Sequence, residues 1–253
     1  MPDAPRQPSY IIRRPGGEVD PNRLFNVPGV VLVVAGVTIA LFILMIIAPD
    51  RATRLLEFSA AVSPPRFLAG PEQNGGWLRW FSPLIGHMFV HANIPHLLFN
   101  CLWLLIFGAP IARRMGAENS LKSASAFYGA SLFLFFYLLS GVAGALTYIA
   151  MHANEYTFLV GASGGVSGLL GGLVRFAFNR TSLLGPEHAK FSSLFSRPVI
   201  MWTVVVIIMN LSVVVFSGAL AGGMNIAWEA HLGGYFFGLM TYPYFELLTR
   251  GRQ

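Results

Sequence analysis

The sequence predicts an all-α polytopic membrane protein with six transmembrane helices. Of its 253 residues, 55% are hydrophobic and only 11% are charged, and the mean hydropathy is +0.61. Six apolar segments each approach the length of about 20 residues that a helix needs to cross a bilayer. Six spans leave no room in this chain for a second soluble domain. The single cysteine, Cys101, lies within an apolar run and excludes an intramolecular disulfide.

The first apolar segment, residues 27–48, follows a polar stretch that contains Asp3, Glu18 and Asp20. It is too long and begins too late for a cleaved signal peptide, so we predict a retained helix after a cytoplasmic tail, residues 1–26. The membrane domain is then expected over residues 27–249, with a long outside loop at about 49–86. The remaining predicted spans cover about residues 94–111, 123–150, 158–177, 198–217 and 228–248.

The basic residues predict the orientation, because Lys and Arg are retained on the cytoplasmic side. With the N-terminus inside, all but four of the 17 Lys and Arg residues fall in inside segments. We therefore expect both termini in the cytoplasm. The net charge of +6 then serves contact with the anionic lipids of the bilayer, and no nucleic-acid partner is predicted. The tail has no long basic amphipathic stretch, so the bacterial inner membrane is the predicted location.

Three predicted helices carry polar side chains that a membrane helix rarely tolerates, which marks a candidate functional site. Ser163 lies in the fourth helix, His231 in the sixth, and His96 and Asn100 lie one turn apart in the second. In the predicted topology these three helices all begin at the outer face. A fourth helix that begins near Phe158 would place Ser163 about 7 to 8 Å below that face.

Small residues at four-residue spacing predict close contact between the fourth and sixth helices. Such rows are also common in transporters, so alone they indicate only packing. In this chain they would bring Ser163 and His231 together. The two rows are Gly164, Gly168 and Gly172, and Ala230, Gly234 and Gly238.

A serine beside a histidine is the usual pairing of a nucleophile with its general base. No Asp follows Asp50, and Glu229 is predicted to face away from His231, so the residues favour a Ser–His dyad. Glu155 stays open as a third member. His96 and Asn100 share one helix face and can both donate to an oxyanion.

The predicted chemistry needs no cofactor and no metal. His87 and His91 have the spacing of two zinc ligands on a helix, but Met88 stands where a metalloprotease has its catalytic Glu.

These motifs resemble those of the rhomboid intramembrane serine proteases, over roughly residues 87–239. The sequence GASG at 161–164 resembles the family's GxSG nucleophile motif. HANIPHLLFN at 91–100 is similar to its HxxxxHxxxN element, and AHLGG at 230–234 to its AHxxG.

The resemblance implies a six-helix rhomboid-like bundle with a water-filled cavity that is open to the outer face. It implies that Ser163 is the nucleophile and His231 the general base. His96, Asn100 and the Ser163 amide would then form the oxyanion hole, and transmembrane proteins would be the substrates.

The chain departs from the family pattern at two places. Members often have a Trp-Arg pair in the first outside loop. The nearest candidate in this chain is the segment WLRW at 77–80. Ser167 stands where some members have a Tyr that packs on the catalytic His, so the group that orients His231 is left open. The alternatives are a catalytically silent rhomboid-like protein that binds membrane clients, and a small transporter in which His96 and His231 relay protons.

Overall fold

A computed structural model describes residues 27–117, 123–178, 190–220 and 226–250, and the predicted tail at 1–26 lies outside these ranges. The described residues are mainly helical, with one isolated antiparallel bridge between Val62 and Leu159. In chain order the helices are α1 (Gly29–Ile47), α2 (Asp50–Ala60), α3 (Pro64–Leu68), α4 (Gly70–Gln73), α5 (Trp77–Phe81), α6 (Pro83–Gly86), a 3-10 turn (His87–Phe89), α7 (Ile94–Arg114), α8 (Ala124–Met151), α9 (Ser163–Val174), α10 (Arg197–Leu220) and α11 (Trp228–Arg250).

Five of the six predicted spans coincide with long helices, which begin and end within three residues of the expected positions. Three of them, α1, α7 and α8, are long and apolar enough to cross a membrane. The count of six spans stays a prediction, because α9 has only 12 residues and α11 carries Glu229 and Glu246.

The expected start of the fourth helix near Phe158 is wrong. Leu159 instead pairs with Val62 through two backbone hydrogen bonds, of 3.1 and 2.9 Å. Gly161 then adopts a φ of +113°, which a continuous helix does not allow. The helix therefore begins only at Ser163, and the depth expected from a start at Phe158 does not apply.

The short helix α9 lies in the middle of the bundle, against α7, α8 and α11. Most of its residues are buried, including the full predicted glycine row. By contrast, α10 lies at the periphery and packs mainly on α11. The fold thus encloses the helix that carries Ser163.

The predicted glycine rows do form the contact between α9 and α11. A Cβ on Gly234 would overlap the carbonyl oxygen of Gly164 and lie 2.8 Å from its carbonyl carbon. A Cβ on Gly238 would likewise overlap the Gly168 carbonyl oxygen and lie 2.6 Å from its carbon. No side chain fits between the two backbones at these positions, and this packing prediction is confirmed.

The predicted outside loop is folded into the short helices α2 to α6. Trp80 stacks on Phe67 with ring centroids 4.7 Å apart, and its indole N–H donates to the Phe67 carbonyl at 2.6 Å. This part of the chain also reaches the candidate site, because Val62 pairs with Leu159 just before Ser163.

Candidate active site

The structure brings Ser163 and His231 into hydrogen-bond contact. Ser163 is the first residue of α9 and His231 lies in the first turn of α11. The distance from Ser163 Oγ to His231 Nε2 is 2.8 Å. The glycine contacts place the two helix backbones side by side, so both side chains can meet in this way.

Backbone hydrogen bonds hold the loop before Ser163 on both sides. The Gly161 amide donates to the carbonyl of His87 at 2.8 Å, and Leu159 is bridged to Val62. The left-handed φ of Gly161 turns the chain from this extended segment into α9. Ser163 therefore follows a fixed turn and lies at a helix start, where the first amides have no intrahelical acceptor.

His96 and Asn100 both converge on the same turn. A Cβ added to Gly161 would lie 2.6 Å from His96 Nε2 and 3.9 Å from Asn100 Nδ2. Asn100 Nδ2 donates to the His96 carbonyl at 2.9 Å, and the side chain of Asn93 caps α7 by accepting from the His96 amide. His96 and Asn100 of α7 thus border the turn that precedes Ser163. Only glycine at position 161 leaves room for the His96 ring.

His91, which has zinc-ligand spacing from His87 in the sequence, packs on His96. Its ring lies edge-on to the His96 ring, with centroids 5.0 Å apart. His87 Nδ1 instead lies 2.9 Å from the carbonyl of Pro83. In the described ranges no group of three or more His, Cys, Asp or Glu residues could hold a metal ion.

Asn210 of α10 occupies the other side of the His231 ring, and it is not among the residues predicted from the sequence. Its Oδ1 lies 2.8 Å from His231 Nδ1. The signal was present, because a lone Asn in the apolar stretch of α10 is the same kind of costly residue that drew attention to Ser163. Asn210 is therefore a group that contacts His231 in this chain, where Ser167 stands in place of the Tyr that some family members have.

The carboxylates that were considered as a third member lie elsewhere. Glu155 and Glu229 both contact His152, at 2.8 Å from its Nδ1 and 3.0 Å from its Nε2. His152 follows the last residue of α8, and the Tyr148 ring packs on it with centroids 4.5 Å apart. Partial burial opposes a charged imidazole, but the hydrogen bonds and the negative charges of the two glutamates outweigh it and raise the pKa of His152.

The depth of the site can be read along the neighbouring helix α8. A Cβ on Gly144 would lie 3.4 Å from the Cα of Gly164, the residue after Ser163. Gly144 lies seven residues before the end of α8 at Met151. At about 1.5 Å per residue, the site is about 10 Å from that end of the helix.

Comparison with known proteins gives the family. The protein-family model described as the rhomboid domain matches residues 74–246, which is more than half of the chain. The putative rhomboid protease YdcA of Bacillus subtilis is 31% identical over 46% of this chain and 50% of its own length. The rhomboid protease GluP of the same organism is 28% identical over 66% of this chain and 26% of its own length. RHOMBOID-like protein 4 of Arabidopsis thaliana is 30% identical over 62% and 32%, respectively.

The chain thus spans half or less of the length of the curated relatives that it matches. The matched domain contains every candidate site residue, from His96 to His231, together with Asn210. Its apolar helices and the matched domain make this chain an integral membrane protein of the rhomboid family.

Proposed function

We propose that this protein is an intramembrane serine endopeptidase that uses Ser163 as the nucleophile and His231 as the general base. The observation that carries the proposal is the 2.8 Å hydrogen bond between Ser163 Oγ and His231 Nε2 within a chain of the rhomboid family. The protease domain is proposed to extend over residues 27–249. No cofactor enters this chemistry.

The reaction is an acyl transfer to a serine. His231 Nε2 takes the proton of the Ser163 hydroxyl as Oγ attacks the carbonyl carbon of the substrate peptide bond. His231 then gives this proton to the leaving amine, and an acyl-enzyme remains on Ser163. Water, deprotonated by His231, hydrolyses this ester and frees Ser163 for the next cycle.

The oxyanion of the tetrahedral intermediate needs donors that are in place before the reaction. We assign this role to the side chains of His96 and Asn100 and to the Ser163 amide. The convergence of the two side chains on the Gly161 turn supports the assignment. The N-terminal end of α9 adds the positive end of a helix dipole near the developing charge.

The proposed substrates are single-pass transmembrane proteins that are cut near the outer face of the membrane. With both termini in the cytoplasm, the end of α8 at Met151 faces outward, and the site lies about 10 Å inside it. A substrate helix hides its carbonyls in hydrogen bonds, so its outer end must unwind before Ser163 can attack. Small or helix-breaking residues at the cut site would favour this unwinding. The bacterial inner membrane is the proposed location.

Labelling with a fluorophosphonate tests the nucleophile directly. We expect the purified protein to react and to cleave a single-pass substrate, and Ser163→Ala and His231→Ala to do neither. Ser131→Ala is the matched control, because Ser131 lies on an exposed face of α8 and its hydroxyl donates to the Phe127 carbonyl of the same helix. A wild-type protein that neither labels nor cleaves would favour the silent client-binding alternative. Transport that survives in Ser163→Ala would favour the transporter.

Asn100→Ala tests the oxyanion hole. We expect a graded loss of about a hundred- to a thousandfold in kcat, the usual cost of one oxyanion donor. An unchanged rate would remove Asn100 from the site.

The location of the cut tests the topology. Mass spectrometry of the cleaved substrate should locate the new termini near its outer boundary, and replacing outer Gly and Pro residues of the substrate with Leu should slow cleavage. A cut at the cytoplasmic end would contradict the proposed orientation.

A further inference from the structure

Asn210 is the polar side chain at this site that the proposed chemistry has not used. It lies in a stretch of α10 in which the preceding residues from Val204 to Met209 are all apolar. Both ends of its amide are engaged. Nδ2 donates to the carbonyl of Val206 at 2.8 Å, and Oδ1 lies 2.8 Å from His231 Nδ1. A polar side chain in such a helix is expensive and calls for a function.

The hydrogen bonds from Val206 through Asn210 and His231 to Ser163 show which atom donates at each contact. The Val206 carbonyl can only accept, so the amide group that faces it must be the Nδ2 end of Asn210. The Oδ1 end, which faces His231, can in turn only accept. Nδ1 of His231 must therefore carry the proton in this hydrogen bond, which leaves Nε2 as the acceptor for the Ser163 hydroxyl.

We propose that Asn210 is a positioning residue that holds His231 in the tautomer protonated at Nδ1 and aims Nε2 at Ser163. The inference rests on the proposed function and extends it from a dyad to a hydrogen-bonded row of Ser163, His231 and Asn210. Asn210 lies where a triad would have its carboxylate, since Glu155 and Glu229 are bonded to His152.

A neutral amide can orient the imidazole, but it brings no negative charge to the imidazolium that forms during the reaction. Its loss should therefore cost less than the roughly ten-thousandfold loss seen when a triad aspartate is replaced. For Asn210→Leu we expect kcat to fall by about ten- to a hundredfold, with KM nearly unchanged, because the side chain acts on the base and not on substrate binding.

The matched control is Thr203→Val, which removes a hydrogen bond between the same two helices. Thr203 Oγ1 lies 2.8 Å from the Tyr235 hydroxyl, about two turns of α10 away from Asn210. If Asn210 only fastened α10 to α11, both variants would reduce kcat to a similar extent. We expect Thr203→Val to cleave at nearly the wild-type rate, and an equal loss in the two variants would overturn the positioning role.

A direct test reads the tautomer by NMR of protein labelled with ring-15N histidine. The Ser163→Ala variant is used, because it removes the hydroxyl that also influences the His231 ring, and the signal is assigned by its loss in Ser163→Ala/His231→Ala. We expect His231 to be protonated at Nδ1 in Ser163→Ala and to shift toward Nε2 protonation when Asn210→Leu is added. Protonation at Nε2 in Ser163→Ala alone would overturn the proposal, whether or not the leucine variant folds.

The proposed function and the role of Asn210 can fail separately. If the wild-type protein shows no cleavage and no labelling, the proposed function fails, whatever the tautomer. If it cleaves, Ser163→Ala does not, and Asn210→Leu is as fast as wild type, only the role of Asn210 is wrong.

Discussion

Helix α11 is held in the bundle in two different ways. Against α9 it makes backbone contacts, with Gly234 over the Gly164 carbonyl and Gly238 over the Gly168 carbonyl. This contact involves no rotatable side chain, so it fixes the distance between the two helices. The separation of Ser163 from His231 is therefore a property of the backbone packing.

Toward α7, α10 and the end of α8, α11 also makes polar side-chain contacts. Three of its residues reach three different segments: Glu229 contacts His152 after α8, His231 contacts Asn210 of α10, and Glu246 bonds Arg114 of α7. These contacts depend on rotamers and on charge, and they act at points along the helix. Glycine packing thus sets the distance within the candidate dyad, while a polar side chain, Asn210, contacts the far side of the His231 ring.

The largest expected effect comes from breaking the backbone contact. In Gly238→Leu the new side chain has no space, because its Cβ alone would overlap the Gly168 carbonyl and lie 2.8 Å from the Gly168 Cα. The helices would have to separate, so we expect little folded protein and no cleavage. Gly36→Leu in α1 is the control, since a Cβ there meets nothing within 4 Å. Size-exclusion chromatography and thermal unfolding in detergent measure both, and a stable, active Gly238→Leu would show that the contact is not essential.

The next effect comes from the buried ion pair at the other end of α11. The side chains of Arg114 and Glu246 are only 3% and 5% exposed, and the guanidinium lies over the rings of Phe176 and Phe191 at 4.4 and 5.1 Å. Arg114→Met leaves a buried carboxylate without its cation, which should lower the free energy of unfolding by about 3 to 5 kcal/mol.

Two further variants sharpen this test of the ion pair. Adding Glu246→Gln to Arg114→Met should recover part of the lost stability, because the uncompensated charge is removed. The exposed pair of Arg54 and Asp50, 4.0 Å apart, provides the control, and Arg54→Met should change stability little. If Arg114→Met and Arg54→Met unfold alike in detergent, the polar anchor at this end contributes nothing.

The sequence predicts the backbone contact better than the polar anchors, and the reason is physical. Small residues at four-residue spacing are a local pattern, so both glycine rows could be read before any contact was known. The start of α9 was misplaced because the residues before Ser163 are apolar enough for a helix, while the Val62 bridge that makes them extended comes from a distant part of the chain. The hydropathy of these residues therefore gives no sign of the pairing between Val62 and Leu159.

The residues of the candidate site also differ in whether a local sequence pattern identifies them. Ser163, His231, His96 and Asn100 stand in recognisable local motifs, whereas Asn210 has no motif and is defined only by what α10 faces. The contacts of His152, which lies outside the candidate site, have no sequence motif either. Its two partners lie 3 and 77 residues away along the chain, so only the fold unites them.

The smallest expected effect concerns the anchor at His152, and it depends on pH. The folded state raises the pKa of His152 above its usual value near 6.5, since Glu155 and Glu229 favour the charged ring more than burial opposes it. Folding is therefore favoured by protonation. The contribution is fully present below the unfolded pKa and is lost as the pH rises through the higher pKa of the folded state.

His152→Gln removes this titration while keeping a polar side chain that can still bond a glutamate. The difference in melting temperature between wild type and variant should be greatest near about pH 5 and should shrink toward about pH 9, where the wild-type ring is neutral. The change should be smaller than for Arg114→Met, because His152 and Glu155 are partly exposed, at 20% and 57%. If this difference is constant over the range or grows with pH, the His152 ring does not gain its proton on folding. Glu229 would then be held only by a hydrogen bond from the neutral ring.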